Sequence, residues 1–240
     1  MGFMKNVVKK ILRLNDHTGV SSLEDLIYAG SKPHGYWIPD NFLNERSVCY
    51  CAGAGNDISF DTELKTRFGS SVYIFDPAPA ARDHFLLLKE HRYNISNDQL
   101  KEIYFIERGV WSHPGLLKSY DARLNRYARR SKHRGKSIEL PVDTIKNFMK
   151  EFGHDTIDLL KLKIDGAEHV VIDNILADNV DVKIIVADFK NEPGTNGIAQ
   201  LFKIKSTCKQ LKRSGYVLVY SAKNLNRTFI RRDVFTRLFF

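Results

Sequence analysis

From residue 48 onward the chain alternates between short apolar runs and longer stretches in which apolar residues recur every three or four positions. The run 48–52 stops at Gly53-Ala54-Gly55, and the helical repeat over 58–68 stops at Gly69. The alternation continues with runs at 72–75, 102–106, 159–164 and 183–187, and with repeats at 80–91, 142–152, 170–176 and 199–211. Short apolar runs bounded by turn residues predict buried strands; the three-to-four spacing predicts helices that cover them. Residues 116–120 read as the start of a hairpin, and 216–220 with 228–231 as a closing antiparallel pair around a polar turn at 224–226. Strands that alternate with helices need right-handed crossovers, so the expected fold is α/β: a Rossmann-like, mostly parallel sheet with helices on both faces and a C-terminal antiparallel hairpin.

The first 44 residues lack this alternation. Residues 4–14 carry Val7, Val8, Ile11 and Leu12 at helical spacing among Lys5, Lys9, Lys10 and Arg13, which predicts a short amphipathic helix. Ser21-Ser22-Leu23-Glu24-Asp25 is a helix-entry pattern and predicts a helix over 21–29. Residues 30–44, rich in Gly, Pro and aromatics, read as a lid-like loop in which Tyr36 and Trp37 either cover a site or fix the extension to the domain. The expected organisation is an N-terminal helical extension and lid over 1–44, then one domain over 45–240 with a basic insertion at about 121–137.

A chain of 240 residues is long enough for one large α/β domain with a full core. No apolar run approaches the ~20 residues of a membrane span, and the basic start lacks the apolar core of a secretory signal, so a cytoplasmic protein is expected. Cys49, Cys51 and Cys208 are odd in number and form no C-x-x-C pair; buried thiols are expected, with no metal site. The net charge of +9 attracts anionic partners non-specifically. Arg123, Arg126, Arg129, Arg130, Lys132, Arg134 and Lys136 concentrate that charge, but Tyr127 is the one aromatic within the run. RNA binding is possible on this pattern but not favoured, because single-strand binders interleave several stacking aromatics with their cations.

The chemistry concentrates where the first regular strand ends. A glycine turn at a strand's carboxyl end lets backbone approach a ligand, and the helix that follows aims its amino terminus at the same crevice. Ala52, Gly53, Ala54, Gly55, Asp57 and Ser59 make up this turn and helix start. Asp76, followed by Pro77, ends the next strand about 20 residues on, from where a carboxylate reaches the ribose hydroxyls of a nucleoside. Ile58 stands where a dinucleotide site prefers a third glycine, and Asp57 would repel a diphosphate but can bond an ammonium. The turn therefore favours S-adenosylmethionine over NAD.

Several blocks resemble the FkbM-type methyltransferases. They are Gly35-Tyr36-Trp37-Ile38-Pro39, the stretch from Gly53 to Asp61, Phe75-Asp76-Pro77-Ala78-Pro79, Gly109-Val110-Trp111-Ser112, Pro141-Val142-Asp143-Thr144-Ile145, and the stretch from Ile157 to Glu168. The resemblance runs from about Gly35 to Arg231 and implies a class I methyltransferase fold and O-methyl transfer from S-adenosylmethionine, commonly to carbohydrate or natural-product hydroxyls. One departure stands out. Where the family reads Lys-x-Asp-x-Glu-Gly-x-Glu, this chain has Lys161-Leu162-Lys163-Ile164-Asp165-Gly166-Ala167-Glu168, so a lysine replaces the first carboxylate and Asp165 shortens the second. A cation in that cluster disfavours a divalent ion.

Displacement at a sulfonium needs a nucleophilic oxygen aligned with the methyl group and relieved of its proton. The candidate catalytic or positioning residues are Asp165, Glu168, Asp188 and Lys163, and Asp165 also lies within reach of the cofactor. A salt bridge from Lys163 to Asp165 or Glu168 is the ordinary alternative, and Glu168 also suits a helix dipole. Val110 and Trp111 are expected beside the adenine, with core packing as the alternative for Trp111. The expected acceptor is a hydroxyl of a sugar, glycan or similar small polar molecule, anionic ones included. An RNA acceptor and a catalytically silent cofactor-binding scaffold are the competing readings.

Overall fold

The computed structural model describes residues 25–90, 101–119, 138–189, 197–222 and 226–240. The amphipathic segment 4–14 and the basic insertion at 121–137 lie outside them. The chain begins with a hairpin of β1 (Leu26–Ala29) and β2 (Tyr36–Pro39). There follow β3 (Val48–Ala52), α1 (Ser59–Phe68), β4 (Ser71–Phe75), α2 (Pro79–Glu90) and β5 (Ile103–Ile106). A small sheet of β6 (Gly109–Val110), β7 (Gly115–Ser119) and β8 (Ile138–Asp143) leads into α3 (Ile145–Phe152). The second half is β9 (Ile157–Leu162), α4 (Glu168–Ala177), β10 (Val182–Asp188), α5 (Gly197–Arg213), β11 (Tyr216–Ser221), β12 (Asn226–Arg231) and α6 (Arg232–Phe239).

Seven strands form one sheet in the order β11-β12-β10-β9-β3-β4-β5. β12 runs antiparallel to both its neighbours; the pairs β10–β9, β9–β3, β3–β4 and β4–β5 are parallel. The expected α/β class and closing antiparallel pair are therefore present. Central strands of a parallel sheet are covered on both faces and must be apolar along their whole length. All six residues of β9 are buried, and β10 is buried except at Lys183 and Asp188. One core lies between the sheet and α1, α2, α6 and the N-terminal hairpin; the other lies beneath α3, α4 and α5. The strand order reverses at β3, between β4 and β9, which opens a crevice at the carboxyl edge of the sheet.

Local chemistry sets the helix ends. Gly69 at φ 75° closes α1 and donates its N–H to the Lys65 carbonyl; Gly153 at φ 72° does the same for α3 toward Met149. The Thr144 side chain caps the start of α3 by accepting from the Asn147 N–H.

Three expectations are corrected. The helix expected over 21–29 is instead a strand where it is described: Leu26 to Ala29 pair with Pro39 to Tyr36, and this pairing, with Leu26 and Ala29 buried, outweighs the helix-entry pattern. The segment 30–44, read as a loop, consequently contains β2. The helix expected from 142 starts at Ile145, because Val142 and Asp143 finish β8 in register with Gly109, Val110 and Gly115. Beyond the last expected strand the chain adds α6, whose Val234 and Phe235 are buried against the first core. Among the described residues no helix is long and apolar enough to cross a membrane.

Candidate functional site

The glycine turn lies at the carboxyl edge between β4 and β9 and is fastened from both sides. Gly53 has φ 87° and donates its N–H to the Phe75 carbonyl at 2.9 Å. A Cβ at this position would stand 2.0 Å from the Lys163 carbonyl oxygen, so no other residue fits. Gly55 also has positive φ, 55°, but its missing Cβ would meet nothing within 4 Å. It leaves open backbone facing the crevice.

Asp76 holds this turn in place. Its Oδ2 accepts the N–H groups of Ala54 and Gly55 at 2.9 and 3.0 Å, and its Oδ1 accepts the Ala78 N–H at 2.9 Å. The carboxylate expected to reach a ribose thus first serves as the clamp of the glycine loop, with lone-pair capacity left on Oδ1. Next to it, Gly109 sits with its Cα side against the Pro77 ring, where a Cβ would come within 3.0 Å. That close approach brings β6 beside Asp76, with Val110 buried and Trp111 half-buried and bonded through its N–H to the Asp143 carbonyl.

Asp57 and Ser59 face the N-terminal hairpin. Asp57 Oδ1 accepts the Ser59 N–H at 2.9 Å, Asp57 Oδ2 accepts the Ser31 hydroxyl at 2.6 Å, and Ser59 Oγ accepts the Ser31 N–H at 2.8 Å. Partial burial works against ionisation of Asp57, but the bonds from Ser31 and Ser59 and the charge of Lys163 outweigh it and bring its pKa down to about 2. Asp57, across the turn, therefore senses the charge of Lys163, a partner that the sequence neighbours Asp165 and Glu168 did not suggest.

The remaining candidate acids lie at or just beyond the carboxyl ends of β9 and β10. Asp165 ends the β9 extension, exposed and with φ 50°; Asp188 ends β10, half-buried. Glu168 is fully buried, and its two carboxyl oxygens accept the N–H groups of Ile164 and Gly166 at 2.8 and 2.9 Å. It closes the β9–α4 loop on itself, a positioning role. Burial raises its pKa to about 7, against the lowering effect of those backbone donors and with added repulsion from Asp188. Because the folded value lies above the ordinary 4.5, the stability this group contributes is full below about pH 4.5 and is lost as pH rises through about 7. Glu168→Gln is expected to remove that slope, so that wild type loses about 3 kcal/mol relative to the variant between those limits. Urea titrations of both proteins across the range measure it; parallel curves would show that burial is not what governs this carboxyl.

Sequence reasoning passed over a buried ion pair beneath the turn. Lys161 in β9 reaches Asp61 in α1, with Nζ 2.8 Å from both carboxylate oxygens and the two side chains 2% and 0% exposed. Burial pulls the lysine toward neutrality, but the Asp61 charge outweighs it and raises its pKa. The pair ties the helix that starts at the glycine turn to the strand that ends at Lys163–Asp165. The signal was present: a lysine inside the apolar run 157–162 has to find an opposite charge.

A seven-stranded sheet in this order, one strand antiparallel, with a glycine turn clamped by the acid of the next strand, is the class I methyltransferase architecture. The sequence profile of the methyltransferase FkbM domain matches residues 51–218, and the chain belongs to that family. Among solved structures it is similar to the methyltransferase FkbM from Methylobacillus flagellatus KT, at 12% identity and a TM-score of 0.49, over 78% of this chain and 44% of that one. It is also similar to the METTL16 MTase domain (10% identity, TM-score 0.45, 78% and 60% covered). A third is the fibrillarin pre-rRNA processing protein of Methanococcus jannaschii (13%, 0.44, 81% and 69%). The chain thus spans under half the length of the first of these. No curated protein sequence matches it.

Proposed function

We propose that the chain is an S-adenosylmethionine-dependent O-methyltransferase whose acceptor is a hydroxyl of a sugar, glycan or similar small polar molecule. The observation that carries this reading is the open backbone of Gly55, held by Asp76 at the crevice where the strand order reverses. Ile58 supports a methyl donor over a dinucleotide, because it is buried in the core beneath the turn and bars the close helix approach a diphosphate needs. Ala52, Gly53, Ala54 and Gly55 would line the donor, Asp76 and Pro77 its ribose, and Val110 and Trp111 its adenine. When bound, the donor supplies an activated methyl on sulfur.

The chain's own residues do the rest. Asp165, just beyond β9, is the carboxylate we assign to take the acceptor's proton, Asp188 at the end of the adjacent β10 completes the acid end, and Glu168 holds the loop that carries Asp165. Lys163, close enough to lower the pKa of Asp57, sets the charge on the hairpin side of the crevice.

Calorimetry with S-adenosylmethionine, S-adenosylhomocysteine and NAD tests the donor. Wild type is expected to bind the first two, and Asp76→Ala to weaken both by about tenfold or more, since it releases three backbone donors. Binding of NAD alone, or unchanged affinity in Asp76→Ala, would overturn the reading. A labelled-methyl screen then decides the acceptor: label in glycans supports the proposal, label in RNA moves the assignment to the basic run 123–136, and donor binding without label in any acceptor makes this a silent scaffold.

A further inference from the structure

Tyr36 is the sole aromatic hydroxyl among the described residues that is fully buried without a hydrogen-bond partner. A buried hydroxyl whose oxygen accepts from nothing and whose proton meets no acceptor is destabilising, and such a position points to a group that completes it. Its place in the fold is tightly determined. The ring packs edge-on against Phe60 in the first turn of α1, with centroids 4.9 Å apart. The residues on either side are pinned across the sheet: Asn226 Nδ2 donates to the Gly35 carbonyl at 3.1 Å, and the Thr228 hydroxyl donates to the Trp37 carbonyl at 2.7 Å. Asn226 and Thr228 lie opposite Asp188 and Val186 of β10. Tyr36 therefore stands between the helix of the glycine turn and the acid end of the sheet.

The surroundings define which group would satisfy it. Burial first, and then the charges of Asp188, Asp61 and Glu168, keep the phenol protonated. Asp61 is neutralised by Lys161 on the helix side, while Asp188 and Glu168 act on the phenol from the acid end of the sheet. Such a field repels a carboxylate and attracts a cationic hydrogen-bond donor. Of the parts of S-adenosylmethionine, that is the ammonium of its amino-acid end.

We infer that Tyr36 is a ligand-binding residue of the donor site: its phenol oxygen accepts a hydrogen bond from the donor's ammonium, with Asp188 supplying the opposite charge. This rests on the methyl-donor reading above. It also gives the N-terminal hairpin a function, since Ser31 at its tip bonds Asp57 and Ser59 of the turn and so fastens the element that carries Tyr36 to the donor site.

The test compares two ligands by calorimetry, S-adenosylhomocysteine, which carries the amino-acid end, and 5′-methylthioadenosine, which lacks it. Tyr36→Phe keeps the contact with Phe60 and removes only the hydroxyl. It is expected to weaken S-adenosylhomocysteine by about tenfold, to leave 5′-methylthioadenosine within about twofold, and to melt no lower than wild type in the absence of ligand. Asp188→Asn is expected to show the same discrimination between the two ligands. Equal losses for both ligands, no loss for either, or a clearly lower melting temperature of unliganded Tyr36→Phe would each overturn the inference. Failure of wild type to bind either ligand would instead overturn the methyl-donor reading itself.

Discussion

Lys161→Met is expected to destabilise the protein by about 3–5 kcal/mol, because it leaves the Asp61 carboxylate buried without its cation. In a domain of this size that corresponds to a fall in melting temperature of roughly 10 °C. The loss is not the worth of the ion pair. Taking two charges out of water is itself unfavourable, and the pair offsets that penalty only while both members are present. The double variant Asp61→Leu/Lys161→Met should therefore recover most of the loss, to within about 1 kcal/mol of wild type. Urea unfolding of the three proteins measures both quantities. A double variant no more stable than Lys161→Met would show that the pair's contribution is specific geometry, not avoidance of a lone buried charge. Burial, together with the Asp61 charge, pushes the pKa of the Cys51 thiol well up, so it stays neutral and cannot substitute for the lysine.

The second large effect is expected at Gly53. Gly53→Ala places a methyl carbon 2.0 Å from the Lys163 carbonyl oxygen, at a φ of 87° that an L residue rarely adopts. The neighbour is backbone, so the clash cannot be relieved by a rotamer change. Relief requires β3 and the end of β9 to part, at the expense of the bonds from Lys163 N–H to the Ala52 carbonyl and from Gly53 N–H to the Phe75 carbonyl. Together these effects predict a loss of about 3 kcal/mol or more. Gly55→Ala is the matched comparison. It has the same sign of φ but open space around the new carbon, and a loss of only about 1–2 kcal/mol is expected. Thermal and urea melts of the two variants decide it; equal losses would show that φ alone, not the contact with Lys163, fixes the first glycine.

These two sites show where sequence reading ends. That Gly53 and Gly55 form a turn at a strand's end followed by a helix is legible in the spacing, and so is Asp76 one strand later. Which glycine is sterically irreplaceable is not legible, because the atom that excludes a Cβ at Gly53 belongs to residue 163, more than a hundred positions away. Asp76 gains a second role for the same reason: the sequence places a carboxylate near the crevice, and the tertiary structure also sets it against the loop amides. Lys163 shows a further limit. Its neighbours in sequence, Asp165 and Glu168, lie one exposed at the crevice and the other closed on its own loop, and Asp57 from the far side of the turn, which the sequence did not suggest, also feels the charge.

What the sequence determines by itself is the order of strands and helices, through apolar periodicity, and the place of the glycine turn and its acid, through their positions at strand ends. Periodicity works because a parallel strand covered on both faces has to be apolar throughout, whatever its neighbours are. The tertiary structure alone decides that residues 26–29 pair as a strand, that Lys161 and Asp61 meet in the core, and that Tyr36 stands unpartnered beside the acid end. Each of these depends on groups brought together from distant parts of the chain, and the balance of burial against hydrogen bonding and charge exists only once those groups are in contact.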